Sequence, residues 1–359
     1  MPEGRSIEII KSGMLTLVQD PGRYGYQQFG VPVAGAMDQF ALVVANLLVG
    51  NDRSAAVLEM MMLGPEIRFS FDGRIALAGA NLSPMINGDA VQMWQTVVVK
   101  TGDVLSFGVL KSGLRAYLAI SGGINTPLVM NSRSTYTRGA LGGFEGRALK
   151  PGDRVPVGVD LDCSRTIMLA IPQEHIPVYE ASNTIRVVLG PQESAFKDGG
   201  IETLLDSEYT ISNECDRMGY RLEGPSIEHE KGADIISDGI AFGAIQVPGH
   251  GKPIVMMADR QTTGGYTKIA TVISVDLPLL AQAKPGDKVR FKKVTIDDAH
   301  ALLKEREVFY NQIPQMAAHQ PLRPKESQIL RSGEVISTRL FRMNIAGAVY
   351  NVKVEEVRD

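Results

Sequence analysis

The stretch that decides the fold runs from Val57 to Ser121, VLEMMMLGPEIRFSFDGRIALAGANLSPMINGDAVQMWQTVVVKTGDVLSFGVLKSGLRAYLAIS. It breaks into short apolar or alternating runs: VLEMMM, EIRFSF, RIALAGA, VVVK, VLSFGVL and RAYLAIS. The turn signals LGP, DG, NG, TGD and KSG stand between them. That spacing predicts an antiparallel sandwich or barrel and argues against βαβ units.

Upstream, residues 7–18 read as a hairpin turning at Gly13, with Leu15 and Leu17 on one face. Gln19 to Asp38, QDPGRYGYQQFGVPVAGAMD, is a long Gly/Pro loop carrying Asp20, Arg23, Tyr24, Tyr26, Gln27 and Gln28. Loops of this kind carry function more often than packing. Residues 38–49 form the clearest helix, because Phe40, Val43, Val44, Leu47 and Leu48 repeat at helical spacing. Asp38 suits its first turn and Gly50 its end. Asn46, near the apolar face, is expected to bond to a neighbouring loop.

Downstream, residues 121–160 are a Gly-rich excursion with scattered arginines, and residues 161–184 form a linker containing Pro172 and Pro177. Strands resume at Ile185, with a helix expected over about 191–205. In the last strand of this part, Lys288, Arg290 and Lys292 alternate, which predicts a solvated, charge-protected edge. Residues 296–312 predict a helix capped by Thr295 or Asp297. A polar linker over about 313–333 follows, then a hairpin turning at Ala346-Gly347.

The two halves echo one another. Arg23-Tyr24-Gly25-Tyr26 returns as Arg217-Met218-Gly219-Tyr220, and TGDVLSF at 101–107 returns as PGDKVRF at 285–291. Two matches in the same order indicate duplication. The expected organisation is a first β domain over 1–160, the linker, a second β domain over 185–295, and a helix and hairpin tail over 296–359. A cleft between the domains would be lined by the two RxGY loops and by residues 246–266.

That last segment, QVPGHGKPIVMMADRQTTGGY, is the densest in chemistry. Pro248, Gly249, Gly251 and Pro253 make a turn, and Ile254 to Met257 suit a buried strand. Asp259, Arg260, Gln261, Thr262, Thr263, Gly264, Gly265 and Tyr266 follow at once. So many polar groups beside a buried strand need partners, either in the protein or in a ligand. The plainer reading is an ornate hairpin turn.

Composition narrows the function classes. A chain of 359 residues with net charge −3 has no basic footprint for nucleic acid or an anionic membrane surface. Cys163 and Cys215 stand far apart without a CxxC, which suits free thiols in a reducing cytoplasm. No apolar run is long enough to span a bilayer. Gly249-His250-Gly251-Lys252 fails as a phosphate loop, since Gln246 and Pro253 stand where Gly and Ser/Thr are required. The five histidines show no metal-ligand spacing, and no nucleophile elbow occurs, so no metal site is expected. His250 reads as structural or solvent-facing.

Four blocks together resemble one family: TLVQDPGRYGYQQFGVPVAGAMDQFALVVANLLVGN, CDRMGYRLEGP, SDGIAFGAIQVPGHGKPIVMMADRQTTGGY and ISVDLPLLAQAKPGDKVRF. They look like the allophanate hydrolase subunit 2 family, also called the biotin-dependent carboxyltransferase family. Its members include the C subunit of ATP-dependent 5-oxoprolinase, an antagonist of a sporulation-kinase inhibitor, and part of urea carboxylase. The resemblance spans roughly residues 7–293. It implies two cyclophilin-like β-barrels, a subunit 1-type partner, and possibly a LamB/YcsF-type subunit. It also implies ATP as a co-substrate of the complex, or biotin supplied in trans. Cys215 stands where many relatives carry Ser.

Both implied ligands, a lactam and a ureido ring, present a cyclic N–H beside a C=O. A side-chain amide meets both groups at once, which singles out Gln261, Gln246 and Asn81. Both ligands also carry a carboxylate, which Arg23 or Arg217 would hold bidentately. Asp259 is the candidate for orienting or deprotonating a nitrogen or water, with an ion pair to Arg260 or Lys268 as its structural alternative. The expected catalytic set is Asp259, Gln261 and Tyr266. Arg23, Tyr26, Asn81, Arg217, Tyr220, Gln246, Thr262, Thr263, Gly264 and Gly265 are the expected substrate-binding set. Three functions fit: a 5-oxoprolinase subunit, a carboxyltransferase subunit acting on a urea-like amide, and a non-catalytic regulator that sequesters its partner. RLFRMNIAGAVYNVKVEEV in the tail is similar to the strand pair leading into biotin-carrier domains, which leaves three readings: a docking hairpin, a vestige of fusion, or an exposed edge hairpin used only for oligomer contacts.

Overall fold

The computed structural model describes residues 4–160 and 168–317, and the backbone of 334–345 and 348–358. Cys163 and the tail turn at Ala346-Gly347 lie outside the described residues. Residues 1–318 form one compact unit and 319–359 a second.

In chain order the first half contributes β1 (Ser6–Lys11), β2 (Leu15–Gln19), α1 (Gln39–Leu48), β3 (Val57–Met61), β4 (Glu66–Phe69) and β5 (Gly73–Asn81). Then come β6 (Pro84–Ile86), β7 (Asp89–Ala90), β8 (Thr96–Val99), β9 (Val104–Phe107), β10 (Ser112–Ile120) and β11 (Arg154–Pro156). They build two antiparallel sheets, in the orders β11-β1-β4-β9-β6-β7 and β2-β3-β10-β5-β8. The expected hairpin over residues 7–18 does not form. β1 pairs with β4 and β11, whereas β2 pairs with β3. Gly13, at φ +69°, turns the chain from one sheet into the other against the Leu63 carbonyl.

One core lies between these sheets. Ile7, Ile9, Ile67 and Phe69 pack against Val18, Leu58, Ile75 and Leu118. In β1, Ile7 and Ile9 are buried while Glu8 is not, as a period of two requires. β5 and β10 are apolar on both faces because α1 covers their outer side. Ala76, Ala78 and Ala119 are small enough to seat Leu42, Ala45 and Leu48. Asp38 caps α1 by accepting from the Ala41 N–H at 2.8 Å. Asn46 ties the helix to the next loop, donating to the Ala55 carbonyl at 2.7 Å.

The second half contributes β12 (Ser182–Leu189), α2 (Asp198–Asp206), β13 (Glu208–Ile211), β14 (Gly219–Glu223), β15 (Asp234–Gly239), β16 (Ala244–Gln246) and β17 (Ile254–Met256). β18 (Thr263–Tyr266), β19 (Lys268–Val272), α3 (Leu277–Gln282) and β20 (Lys288–Lys293) complete it. The strands β12-β19-β16-β17-β14-β13-β20 close a barrel around Ile185, Tyr209, Tyr220, Ile245, Val255 and Val289. β15 and β18 stay outside the barrel and pair with each other as a two-stranded ribbon. β20 is no edge, because it pairs with β12 on one side and β13 on the other. Lys288 and Arg290 are the solvent face of an interior strand, and both pair with Glu208 on β13. The protein is therefore mainly β.

The Lys-x-Gly-Asp turn has the same geometry each time it appears. In Lys100–Asp103 and Lys284–Asp287 the aspartate accepts from the lysine N–H at 2.8 Å and its own N–H returns to the lysine carbonyl. Lys150–Asp153 repeats the motif a third time, at 2.7 Å. After β20, α4 (Ile296–Gln312) starts with a capping box between Thr295 and Asp298. In the second unit, β21 (Glu334–Ile345) and β22 (Ala348–Arg358) pair antiparallel with Ile345 opposite Ala348.

Candidate functional site

The halves are joined by a buried charge cluster. Arg217, just before β14, donates to both oxygens of Asp259, each at 3.0 Å. Its other donors reach Glu59 of β3 and, at 2.5 Å, the Gly35 carbonyl. Glu59 also accepts from the Met37 N–H at 2.9 Å and the Tyr117 hydroxyl at 2.8 Å. All three charged side chains are buried. Burial works against the Arg217 charge, but Asp259 and Glu59 outweigh it and hold the guanidinium above its ordinary range. Burial raises the Asp259 carboxyl, and Arg217 opposes the rise. The partner of Asp259 is thus Arg217, not Arg260 or Lys268. Arg260 instead donates to the Ile240 carbonyl at 3.0 Å.

A second link runs beside it. Gln282, at the end of α3, accepts from the Leu114 and Arg115 N–H groups and donates to Asp38 and to the Arg115 carbonyl, all at 2.8–2.9 Å. Its amide oxygen and both its amide protons thus bind residues of the first half. Asp38 is fully enclosed, and burial pushes its carboxyl up to about 6 against the hydrogen bonds from Ala41 and Gln282.

Arg23 shares the RxGY pattern with Arg217 but not its partners. It is fully buried and donates to the carbonyls of Val129 and Ser134, at 3.0 and 2.9 Å. Its remaining amino group has no hydrogen-bond partner among the described residues. Burial lowers its pKa, with Asp20 and Asp259 opposing. Asp20 fixes the loop around it, accepting from the Gly22 and Arg133 N–H groups and from the hydroxyls of Ser132 and Ser134. Tyr26 sits on that loop, and its hydroxyl accepts from Asn131 at 3.2 Å.

Residues 246–266 divide between barrel and ribbon. β16 ends at Gln246, whose side chain is buried, while β18 lays Gly264 against it. A Cβ on Gly264 would lie 2.8 Å from Gln246 Nε2 and 3.5 Å from Gln261 Nε2. Both amide nitrogens therefore lie against Gly264. Gln246 Nε2 and Gln261 Oε1 are each buried and have no hydrogen-bond partner among the described residues. One is a donor and the other an acceptor. Buried polar atoms of this kind are rare and costly, and each calls for a partner that the described residues do not supply. Gly265 faces roomier space, with its nearest neighbour at 3.4 Å.

The remaining expected site residues scatter. Thr262 and Thr263 pair in the ribbon with Ile240 and Gly239. Tyr266 ends β18 with 42% of its surface exposed. Tyr220 is corrected to the barrel core. Its hydroxyl is held by Arg115 at 2.6 Å, and no part of the ring reaches a cleft. Asn81 lies apart from the glutamines. It lines a separate cavity of about 600 Å³ with Gly79, Trp94, Ser112 and Tyr179, and its Oδ1 accepts from the Ser83 N–H. Sequence reading passed over Glu59, and weighed Lys268 only as a partner for Asp259. Glu59 was visible as the one charge inside VLEMMM, and Lys268 as the one charge opening the apolar run KIATVI. Among the described residues no group of histidine, cysteine, aspartate and glutamate is arranged to hold a metal, and no helix is long and apolar enough to cross a membrane.

Comparison with known proteins adds the family. The family model described as the carboxyltransferase domain, subdomain A and B, matches residues 29–293. The 5-oxoprolinase C subunit of Escherichia coli is 37% identical over 307 residues, covering 86% of this chain and 97% of that protein. The Haemophilus influenzae protein of the same name is 35% identical over 307 residues with the same coverage. Urea amidolyase of Saccharomyces cerevisiae is 33% identical over 322 residues, 85% of this chain and 18% of that one. The solved Kluyveromyces lactis urea amidolyase superposes with a TM-score of 0.81 at 29% identity, over 93% of this chain and 21% of its own.

Proposed function

We propose a function from this premise: the chain belongs to the carboxyltransferase-domain family, subdomains A and B, and serves as the C subunit of an ATP-dependent 5-oxoprolinase. It works with a subunit 1-type partner, and with a LamB/YcsF-type subunit, to open 5-oxoproline to glutamate. The observation that carries this reading is the unpaired amide pair. Gln246 Nε2 donates to the lactam oxygen, and Gln261 Oε1 accepts from the lactam N–H. A lactam shows these two groups side by side on one ring edge, so both buried atoms are satisfied together.

The same contacts prepare the ring for reaction. A lactam is a resonance-stabilised amide, and accepting its N–H pushes electron density onto its oxygen. That oxygen then attacks the terminal phosphorus of ATP, and ADP leaves. Water adds at the activated ring carbon, and the carbon–nitrogen bond breaks. Hydrolysis of the resulting acyl phosphate releases phosphate and glutamate. Gln246 and Gln261 orient the ring throughout. Asp259 and Arg217 hold the turn that carries Gln261.

A second reading rests on the urea amidolyase match. A carboxyltransferase would present the same amide pair to the ureido ring of biotin delivered in trans. The matched length favours the first, since the oxoprolinase subunits are covered nearly end to end.

The test is reconstitution with the partner subunits and measurement of 5-oxoproline-dependent ATP turnover. The chain alone is expected to be silent. Gln261→Ala and Gln246→Ala should each lower kcat/KM by about tenfold or more, the effect of leaving one buried ligand group unpaired. Wild-type kcat/KM in both variants overturns the reading. Biotin-dependent carboxylation without oxoproline turnover installs the second.

A further inference from the structure

Opposite Gln246 stands a buried lysine that the amide pair does not use. Lys268 of β19 is the register partner of Gln246 of β16, and facing residues of an antiparallel pair project to the same side. The ribbon covers both. On it, Asp238 and Gly264 are register partners in the same way. Gly264 lies on Gln246, and Asp238 Oδ2 accepts from Lys268 Nζ at 3.1 Å. The four residues form a square, two from the barrel below and two from the ribbon above.

The charges in that square are unevenly placed. The Lys268 side chain is 5% exposed, whereas that of Asp238 is 57% exposed. Among the described residues Asp238 is the one carboxylate within ion-pair distance of Lys268. A buried ammonium needs a counter-charge, and here it comes from the solvent-facing edge of a ribbon outside the barrel. Gln192 accepts from the Lys268 N–H and also supports Asp238, so the contact is built rather than accidental. Two-stranded ribbons are marginally stable by themselves. β15 is exposed along most of its length, and its register slips between Asp234 and Asp238.

We propose that Lys268 is the carboxylate-binding residue of this site, and that Asp238 fills that place until a ligand's carboxylate displaces it and frees the ribbon. The proposal rests on the lactam reading above and assigns the residue that takes the carboxylate of that substrate. Of the arginines expected to hold that carboxylate, Arg217 is spent on Asp259, Glu59 and Gly35, and Arg23 gives two donors to loop carbonyls of the first half and keeps one amino group unpaired there. Displacement also explains entry, because the ribbon strand that shields Gln246 is the one paired with Asp238.

The experiment compares 5-oxoproline with 2-pyrrolidinone, the same lactam without the carboxylate, by calorimetry on the full chain and on the reconstituted complex. Wild type is expected to prefer 5-oxoproline. Lys268→Met should weaken 5-oxoproline by about tenfold or more and leave 2-pyrrolidinone unchanged. Asp238→Asn, at an exposed position that does not threaten folding, should tighten 5-oxoproline several-fold and speed amide exchange over residues 234–239. Equal losses for both lactams in Lys268→Met, or no gain in Asp238→Asn, overturn the proposal and leave the lactam reading standing. If neither lactam binds wild type, the lactam reading fails. Unchanged ribbon exchange in Asp238→Asn then rejects the latch as well, and faster exchange supports it.

Discussion

Replacing Arg217 by methionine is the sharpest test of how the two halves are held. Methionine keeps most of the length and none of the charge. Two buried carboxylates, Glu59 and Asp259, lose their shared cation, and the Gly35 carbonyl loses a donor. Their side chains are 4% and 5% exposed, so water cannot replace the guanidinium. Removing one member of a buried ion pair costs about 3–5 kcal/mol, mostly from the charge left behind. The exposed Arg138–Asp216 pair is the control. At 2.8 Å it is as short, but both side chains are at least half exposed, and Arg138→Met should cost less than about 1 kcal/mol.

The loss must also depend on pH. Burial already raises the Asp259 carboxyl, and Arg217 is what opposes that rise. Without Arg217 the folded-state pKa climbs further above the unfolded value. A carboxyl raised in the folded state favours folding below its unfolded pKa and loses that contribution as pH rises through the folded one. Urea unfolding at pH 5 and pH 8 should therefore show a larger deficit for Arg217→Met at pH 8. A deficit below about 1 kcal/mol, or one equal at both pH values, refutes the reasoning.

Other expectations are independent of that cluster. Asp38 should titrate near 6 in a carbon-detected NMR experiment, and an ordinary carboxylate midpoint would contradict the burial that raises it against the bonds from Ala41 and Gln282. With its folded pKa raised from 3.8 to about 6, its contribution is largest below 3.8 and fades as pH rises through 6, by about 3 kcal/mol in all. Gly264→Ala should push the Gln246 amide aside and lower lactam turnover. Gly265→Ala should leave both turnover and thermal midpoint near wild type, because its nearest neighbour is 3.4 Å away. Asp259→Asn should lower the thermal midpoint through its bonds to Arg217, and a normal midpoint with lost turnover would instead return Asp259 to chemistry.

Much of the fold was legible because β patterns and glycine turns are local signals. The RIALAGA and RAYLAIS runs already carried the small residues on which α1 lies. The hairpin at 7–18 was misread because Gly13 marks a turn without saying which strand comes next to which. Pairing with β4 and β3 depends on residues some fifty positions away. The β20 charges looked like an edge for a related reason: alternation reports a solvent face and is silent about neighbours on either side. At the site, glutamine, glycine and arginine types were visible, but their division of labour was not. Tyr220 and Arg217 stand three residues apart in one motif, yet one fills the barrel core and the other bridges the halves.

The two arginines matched by the RxGY pattern differ in their partners: Arg217 carries two buried carboxylates, while Arg23 carries two carbonyls. Arg217 spans the halves, so it fixes their relative placement, and opening a site by parting them would break the most costly contacts in the molecule. Access to Gln246 and Gln261 must then come from an element that the cluster does not hold. The β15–β18 ribbon meets that condition. It lies outside both the barrel and the charge cluster, and a single ion pair at its exposed edge joins its carboxylate to Lys268. The proposed displacement of Asp238 therefore places the movement in the ribbon and leaves the joined halves as they are.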